Sequence, residues 1–476
     1  MNELIPVLDP ASDEALYMQL YRYVRDEITA GRIHPYQKLP SIRNWAAYLR
    51  ISRTPVALAY EQLLAEGYIQ SRARSGFFVS PLENIPIHST HEKRTDTPSP
   101  STAVHRMYHA SYDELVLYDF GYGSIDISSF PLTNWRRLMN ECLRPENSRF
   151  LMYGDLQGEY ELREEIAAYL HQNRGVRCSP EQIVIGAGTY HSLDLLFQLL
   201  QDQLTRIAAE GSVNDGVKAL LTQSRLQLLP IALEQDGIRT EDLHASGVQA
   251  VYVTPSHQFP FGMTMSISKR QKLLQWAKEH HAYIIENDYD GEFRYSGRPI
   301  PSLQSLDEDE RVVYVGTFSK ALTPSFRISY LVLPPALLHL FQSKNHSYDQ
   351  FASPLFQKAL HLFMASGDFD RHMRKMRRLY AKKHDVLLKA VRDAFGEKAE
   401  VIGSGSGLHI LLKILNGMSE TELIHAALQK GVKVYATSVY ALAPAMQMQS
   451  TVLLGFGGLS EEHITAGVYL LKQAWS

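Results

Sequence analysis

Four side chains in the segment VVYVGTFSKALTPSFRISYLVLP suit one chemistry by type and spacing. A strand pattern at Val312–Val315 runs into a small polar turn that carries Thr317, Ser319 and Lys320. Arg327 follows the lysine by seven residues. A lysine amine condenses with an aldehyde to form a Schiff base. Hydroxyls and a bidentate guanidinium bind a phosphate. The cofactor that carries both groups is pyridoxal 5′-phosphate (PLP), and the grouping predicts it, with Lys320 as the Schiff-base lysine. A lone lysine after a strand is ordinarily a surface lysine. The hydroxyls and the arginine change that reading.

Upstream segments supply further candidates. HAYIIENDYDGEFRY is a strand with a polar end, and Tyr289 is placed to hydrogen-bond the cofactor's phenolic oxygen. Side chains alternate along a strand, so Asn287 shares the Tyr289 side and faces the ring. An irregular strand end would bring Asp288 there instead, and both stay candidates. QIVIGAGTYHSL is a strand, a glycine turn and a helix, whose first N–H groups at Gly188, Thr189 and Tyr190 can hold a phosphate. Such a turn alone is common in α/β proteins. In the loop VTPSHQFPFGM, contact of His257 or Gln258 with the ring and a purely structural role are equally open. Cys142 and Cys178 lack metal-ligand spacing, so no metal is expected.

These residues need a scaffold. From about residue 116, short Val/Ile-rich strands (QIVIGAG, QAVYVTP, AYIIEND, RVVYVGT) alternate with helical segments, the rhythm of an α/β domain with a mainly parallel sheet. A long basic amphipathic helix, RHMRKMRRLYAKKHDVLLKAVRDAF, opens a smaller C-terminal α+β part over about 365–476. Residues 81–115 are rich in Pro, Ser, Thr and His, a linker composition.

Residues 1–80 read differently. ALYMQLYRYVRDEITA has helical periodicity and Gly31 as a stop. Ser41 caps a short helix to about Leu49, a turn follows at Arg50–Ser52, and a second helix runs from Arg53 to about Glu66. Two helices joined this way make a helix-turn-helix, whose second helix enters the major groove N-terminus first. Arg53 and Thr54 stand at that end. GYIQSRARSGFFVS then forms a two-stranded wing with Arg72, Arg74 and Gly76. Residues 31–60 hold Arg32, Lys38, Arg43, Arg50 and Arg53 and no acidic residue, in a chain of net charge −3. That local patch is the footprint of a phosphate-binding face. A solvated basic face on a small helical module is the plainer alternative.

At 476 residues the chain predicts two or three domains. Two cysteines and an N-terminus without a signal-peptide pattern predict a reduced, cytoplasmic protein. No apolar run is long enough for a membrane span.

LPSIRNWAAYLRISRTPV followed by EGYIQSRARSGFFV resembles the GntR family of winged helices. That resemblance implies DNA contacts from Arg43, Arg53, Thr54 and the wing at Arg72, Arg74 and Gly76. The segments YGDLQG, GAGT, TPSHQFP, ENDYDGEFRY, GTFSKALTPSFRISY and LLGF occur in the order of fold-type I aminotransferases. Together, from about residue 12 to the end, the chain resembles the MocR/GabR-type transcription regulators. The resemblance implies a winged helix-turn-helix joined to an α/β PLP-dependent transferase-like fold with large and small domains. It also implies a double-stranded DNA operator, a small-molecule effector (PLP itself, an amine or an amino acid) and a domain-swapped homodimer in which Tyr153 reaches the phosphate across the interface.

The chain departs from an active transaminase in three ways. Asn287 stands where such families carry an Asp on the pyridine nitrogen, and an amide cannot keep that nitrogen protonated. The segment EGSVNDGVKALL puts Asn214 at a position where Tyr is common and Gly216 where a relative has a ligand-binding Arg. No Arg follows Arg392, so the small domain offers no guanidinium for a substrate carboxylate. The expectation is a PLP-dependent regulator without physiological turnover. A working aminotransferase with an accessory DNA-binding domain, and a DNA-binding protein on a degenerate scaffold, are the alternatives.

Overall fold

A computed structural model describes residues 6, 8–9, 12, 14–72, 75–81, 116–295, 300–344 and 349–476. The expected linker over 81–115, apart from Pro81, and Arg74 of the wing lie outside the described residues. The chain divides into two compact units, Met1–Pro100 and Ser101–Ser476.

The first unit has three helices and a hairpin: α1 (Leu16–Thr29), α2 (Ile42–Leu49), α3 (Arg53–Ala65), β1 (Ile69–Arg72) and β2 (Gly76–Val79). The local signals act as expected. Gly31, at φ +71°, follows α1. The Ser41 hydroxyl accepts the Asn44 N–H at 3.2 Å and so caps α2. Arg50 adopts a left-handed conformation, φ +56°, which turns the chain between α2 and α3. Leu20, Val24, Trp45, Val56, Tyr60 and Leu63 are buried together. Trp45 stacks on Tyr60 at 5.6 Å, and the Tyr60 hydroxyl donates to the Pro40 carbonyl. The wing strands pair antiparallel, with Ile69 opposite Val79.

The second unit is built on a seven-stranded sheet. Its strands are β3 (Ile183–Gly186), β4 (Arg206–Glu210), β5 (Gln227–Ile231), β6 (Ala250–Val253), β7 (Tyr283–Asp288), β8 (Val312–Thr317) and β9 (Ser329–Val332). They lie in the order β3-β9-β8-β7-β6-β4-β5. Only β9 runs against its neighbours. Every residue of β8 is buried, as expected for a central strand covered on both faces. The strand runs two residues beyond the Val312–Val315 pattern, because the antiparallel ladder with β9 continues to Thr317 opposite Ser329.

A separate antiparallel sheet forms the smaller C-terminal part: β10 (Ala399–Ile402), β11 (His409–Ile414), β12 (Tyr435–Ala436) and β13 (Thr451–Gly455), in the order β10-β11-β13-β12. A 28-residue helix, Asp368–Phe395, precedes it and buries Met373, Met376, Tyr380 and Leu387 on one face. The amphipathic pattern of the basic segment is thus satisfied by packing, not only by solvent. Among the described residues, no helix is long and apolar enough to cross a membrane.

Candidate functional site

In an open α/β sheet, ligands bind where parallel strands end. Here a cavity of about 190 Å³ lies at that edge. Thr189 and Tyr190 reach it after β3, Val213 and Asn214 after β4, and Thr254 after β6. Asn287 and Tyr289 come from the end of β7, and Thr317, Ser319 and Lys320 from the end of β8. Residues far apart in the chain meet because five strands stop at one edge.

Lys320 is buried, and its ammonium bonds the Tyr122 carbonyl and lies 3.9 Å from the centre of the Tyr122 ring. Desolvation disfavours the charged amine and lowers its pKa to about 8. The helix after β3, α4 (Thr189–Leu199), has Gly188 as N-cap and no side-chain cap, so its first N–H groups are available to an anion. Gly188 adopts φ +97°, and a Cβ there would lie 1.9 Å from the Arg327 guanidinium. A residue with any side chain would push the arginine away from the helix end. The Thr317 and Ser319 hydroxyls are 2.9 Å apart. Gly188 and Thr317 are buried, Thr189 and Ser319 half-buried, and Arg327 is exposed at the mouth.

Strand alternation decides between the two candidates at the end of β7. Asn287 lines the cavity, with its amide donating to the Tyr252 hydroxyl at 2.7 Å. Its Oδ1 is buried with no partner among the described residues. Asp288 faces the other side, where its carboxylate accepts from Arg174 at 2.6 Å and from the Tyr314 hydroxyl at 2.7 Å. Asp288 is therefore withdrawn from the cofactor-contacting set: a regular strand turns it away and a buried arginine holds it there. The Tyr289 hydroxyl is 3.0 Å from both His257 Nδ1 and the His257 carbonyl. Gln258 bonds Glu210 and the carbonyls of Ser212 and Phe259, a structural role. Tyr153 is 82% exposed and does not line the cavity of its own chain.

The departure at Gly216 has a packing reason. Asn214 caps the helix α5 (Asp215–Gln223), accepting from the Gly216 N–H and from the Tyr190 hydroxyl at 2.6 Å. A Cβ at Gly216 would lie 2.1 Å from the Tyr190 ring. A side chain at 216 would displace the Tyr190 ring from its place over the start of α5. Lys218 of α5 donates to the carbonyls of Val439 and Ala441, which ties the smaller part to this wall. Lys320 and Arg327 are the only cations among the described lining residues. Tyr122, Tyr252, Phe259, Val213 and Val217 also line the cavity and were not singled out from sequence. Tyr252 stands in the strand QAVYVTP, where alternation could have marked it. Tyr122 stands in a loop without periodicity.

In the first unit, Arg43 lies on α2, Arg53 and Thr54 open α3, and Arg72 ends β1; all are exposed. The N-cap Ser52 makes no side-chain cap bond, leaving N–H groups of α3 free for an anion. Arg43 and Arg53 have no acidic partner among the described residues. Arg32 pairs with Glu27 at 2.7 Å, so its charge is offset and the patch is smaller than the residue count suggests. The Arg72 guanidinium stacks over Phe78 at 4.7 Å, and Gly76 takes φ +107° at the start of β2.

Residues 16–79 match the family described as bacterial regulatory proteins, gntR family, and residues 119–452 the family described as aminotransferase class I and II. The HTH-type transcriptional regulator YhdI of Bacillus subtilis is 41% identical over all of this chain and 98% of its own length. The "Probable rhizopine catabolism regulatory protein MocR" of Rhizobium meliloti is 33% identical over 98% of this chain and 95% of its own. Among solved structures, the multiple substrate aminotransferase of Thermococcus profundus aligns with a TM-score of 0.70 at 25% identity, covering 79% of this chain and 94% of that one.

Proposed function

Because this chain belongs to the MocR-type transcription regulators, with a GntR winged helix that binds DNA and an aminotransferase class I and II body, we propose that it holds PLP on Lys320 and reads an effector there. The observation that carries the proposal is the joining of a buried amine of lowered pKa to an uncapped helix end backed by Arg327. PLP, when bound, supplies an aldehyde that reacts reversibly with amines. Around it, Gly188, Thr189, Tyr190, Thr317, Ser319 and Arg327 bind the phosphate. Tyr289 donates to the phenolic oxygen, and Asn287, with one amide N–H given to Tyr252 and a second to spare, meets the ring nitrogen without charging it. Tyr122 and Phe259 keep water from the amine.

The effector is PLP itself or an amine or amino acid that reacts with it. A ligand carboxylate would find no arginine besides Arg327 among the described lining residues. The protein acts in the bacterial cytoplasm as a domain-swapped homodimer. Leu151, Met152 and Tyr153, each more than 60% exposed, form part of the contact, and Tyr153 of the partner subunit closes the phosphate mouth. On DNA, Arg43, Arg53, Thr54, Arg72, Arg74 and Gly76 face the duplex.

A duplex from the promoter region of the protein's own gene should bind much more tightly than random DNA at physiological salt, with affinity or footprint changed by PLP. Equal binding to both duplexes would exclude specific regulation. Steady multiple turnover of an amino acid with a keto acid would replace the regulator reading with that of a working aminotransferase.

A further inference from the structure

His257 stands behind Tyr289, in a part of the body that cofactor binding leaves unused. Its Nδ1 lies 2.9 and 3.1 Å from the two carboxylate oxygens of Asp290 and 3.0 Å from the Tyr289 hydroxyl. The side chains of His257 and Asp290 are 1% and 0% exposed. Among the described residues no lysine or arginine forms an ion pair with Asp290. A buried carboxylate without a donor is costly, so the ring proton sits on Nδ1 and points at Asp290. The opposite nitrogen, Nε2, is buried with no partner among the described residues, which suits a neutral ring: a bare lone pair costs less than a bare charged N–H.

Two consequences follow for neighbouring groups. With Nδ1 already protonated, Tyr289 cannot donate to it. The phenol hydrogen goes to the His257 carbonyl or swings into the cavity. A single negative charge also remains, on Asp290, in a sealed place. Gly407, at φ +77°, lies flat on the pair, and a Cβ there would stand 2.0 Å from His257 Cε1 and 2.8 Å from Asp290 Oδ2. Lys320, Tyr122 and Tyr289 face the pair from the cavity side, with Tyr252 and Glu210 beyond. From β11, His409 faces it with ring centres 5.2 Å apart. His409 is kept neutral by burial, and its Nε2–H donates to the Pro260 carbonyl at 2.9 Å.

We propose that His257 and Asp290 are a positioning pair for the cavity. Asp290 fixes the tautomer of His257, the ring leaves the Tyr289 phenol free to donate into the cavity, and the carboxylate charge favours the protonated state of the Lys320 nitrogen. The phenol half rests on the PLP reading; the charge half does not.

The test uses the full-length protein. In the PLP-free form, acetylation of Lys320 by acetic anhydride is followed against pH by peptide mass spectrometry. Asp290→Asn lowers the midpoint by about one pH unit, and Asp290→Glu restores most of it. In the PLP-loaded form, the pH titration of the visible absorbance shifts in Tyr289→Phe and in His257→Asn, whose amide nitrogen keeps a donor at the Nδ1 position, and the acetylation midpoints of both stay near wild type. A folded Asp290→Asn with an unchanged midpoint overturns the proposal. If Asp290→Asn does not fold, His257→Asn decides, and an unchanged visible titration overturns it. If no band forms with PLP even in wild type, the cofactor reading fails while acetylation still judges the charge. His257, Asp290 and His409 offer ligand atoms within 4.8 Å of one another. One zinc per purified chain, released by His409→Ala, would make the cluster a metal site and overturn the pair.

Discussion

The N-termini of α3 in the first unit and α4 in the second both leave backbone N–H groups uncapped by a side chain and have an arginine nearby. In α3 the arginine is the first helical residue, Arg53, and it is exposed together with its neighbours Ser52 and Thr54. In α4 the arginine comes from 138 positions further along the chain, and it reaches the helix end only because Gly188 has no side chain. The first arrangement suits a long polyanion approached from solvent, where charge acts through water and salt screens it. The second suits one small phosphate held by shape and short hydrogen bonds. The same backbone feature thus serves two ligands, according to what is packed around it.

Changes that separate the two sites test this comparison. The largest effect belongs to Lys320→Ala: the visible band of PLP-loaded protein should vanish, while DNA binding of the PLP-free protein stays within about twofold. Loss of both would point to misfolding.

The next is a pH effect. Burial lowers the Lys320 pKa to about 8, and only the neutral amine attacks an aldehyde. The PLP capture rate, followed by stopped-flow absorbance, should rise about tenfold per pH unit up to about pH 8 and then level off. A rise that continues to pH 10 would place the amine in water. DNA binding should not follow this profile.

Gly188→Ala should weaken PLP binding by about 1.5–3 kcal/mol, the worth of a hydrogen bond to a charged group, by titration calorimetry. The required Cβ would lie 1.9 Å from the Arg327 guanidinium. Unchanged affinity would show that Arg327 does not work through that helix end.

Arg53→Ala should cost about 1–3 kcal/mol of operator binding and reduce the salt slope by about 1, measured by fluorescence anisotropy. PLP affinity should change far less over the same salt range. If the two salt slopes coincide, the contrast between the sites is wrong. The smallest effect is Ser41→Ala, about 1 kcal/mol of stability in the first unit from loss of the α2 cap, read by thermal unfolding.

Much of the first unit was legible because its signals are local. Ser41, the Arg50 turn and Gly31 each act within one helical turn, and the observed α2 and α3 begin where those residues place them. Lys320, Thr317 and Ser319 were legible for the same reason, being neighbours in one strand and turn. The site's walls were not. Tyr122 reaches Lys320 from 198 positions away. The packing of the Tyr190 ring over Gly216 joins two helices that follow different strands.

By itself, the sequence determined the order of elements, the helix caps, the chemistry available at Lys320 and the basic character of α2 and α3. Periodicity and capping depend on residues a few positions apart, so one strand of text carries them. The tertiary structure decided which face of β7 meets the cavity, and so that Asn287 and not Asp288 stands there. It decided that Arg327 backs α4, that Glu27 offsets Arg32, and that Asp290 pairs with His257. Those outcomes depend on strand order and on the partners that burial brings together, which no local pattern records.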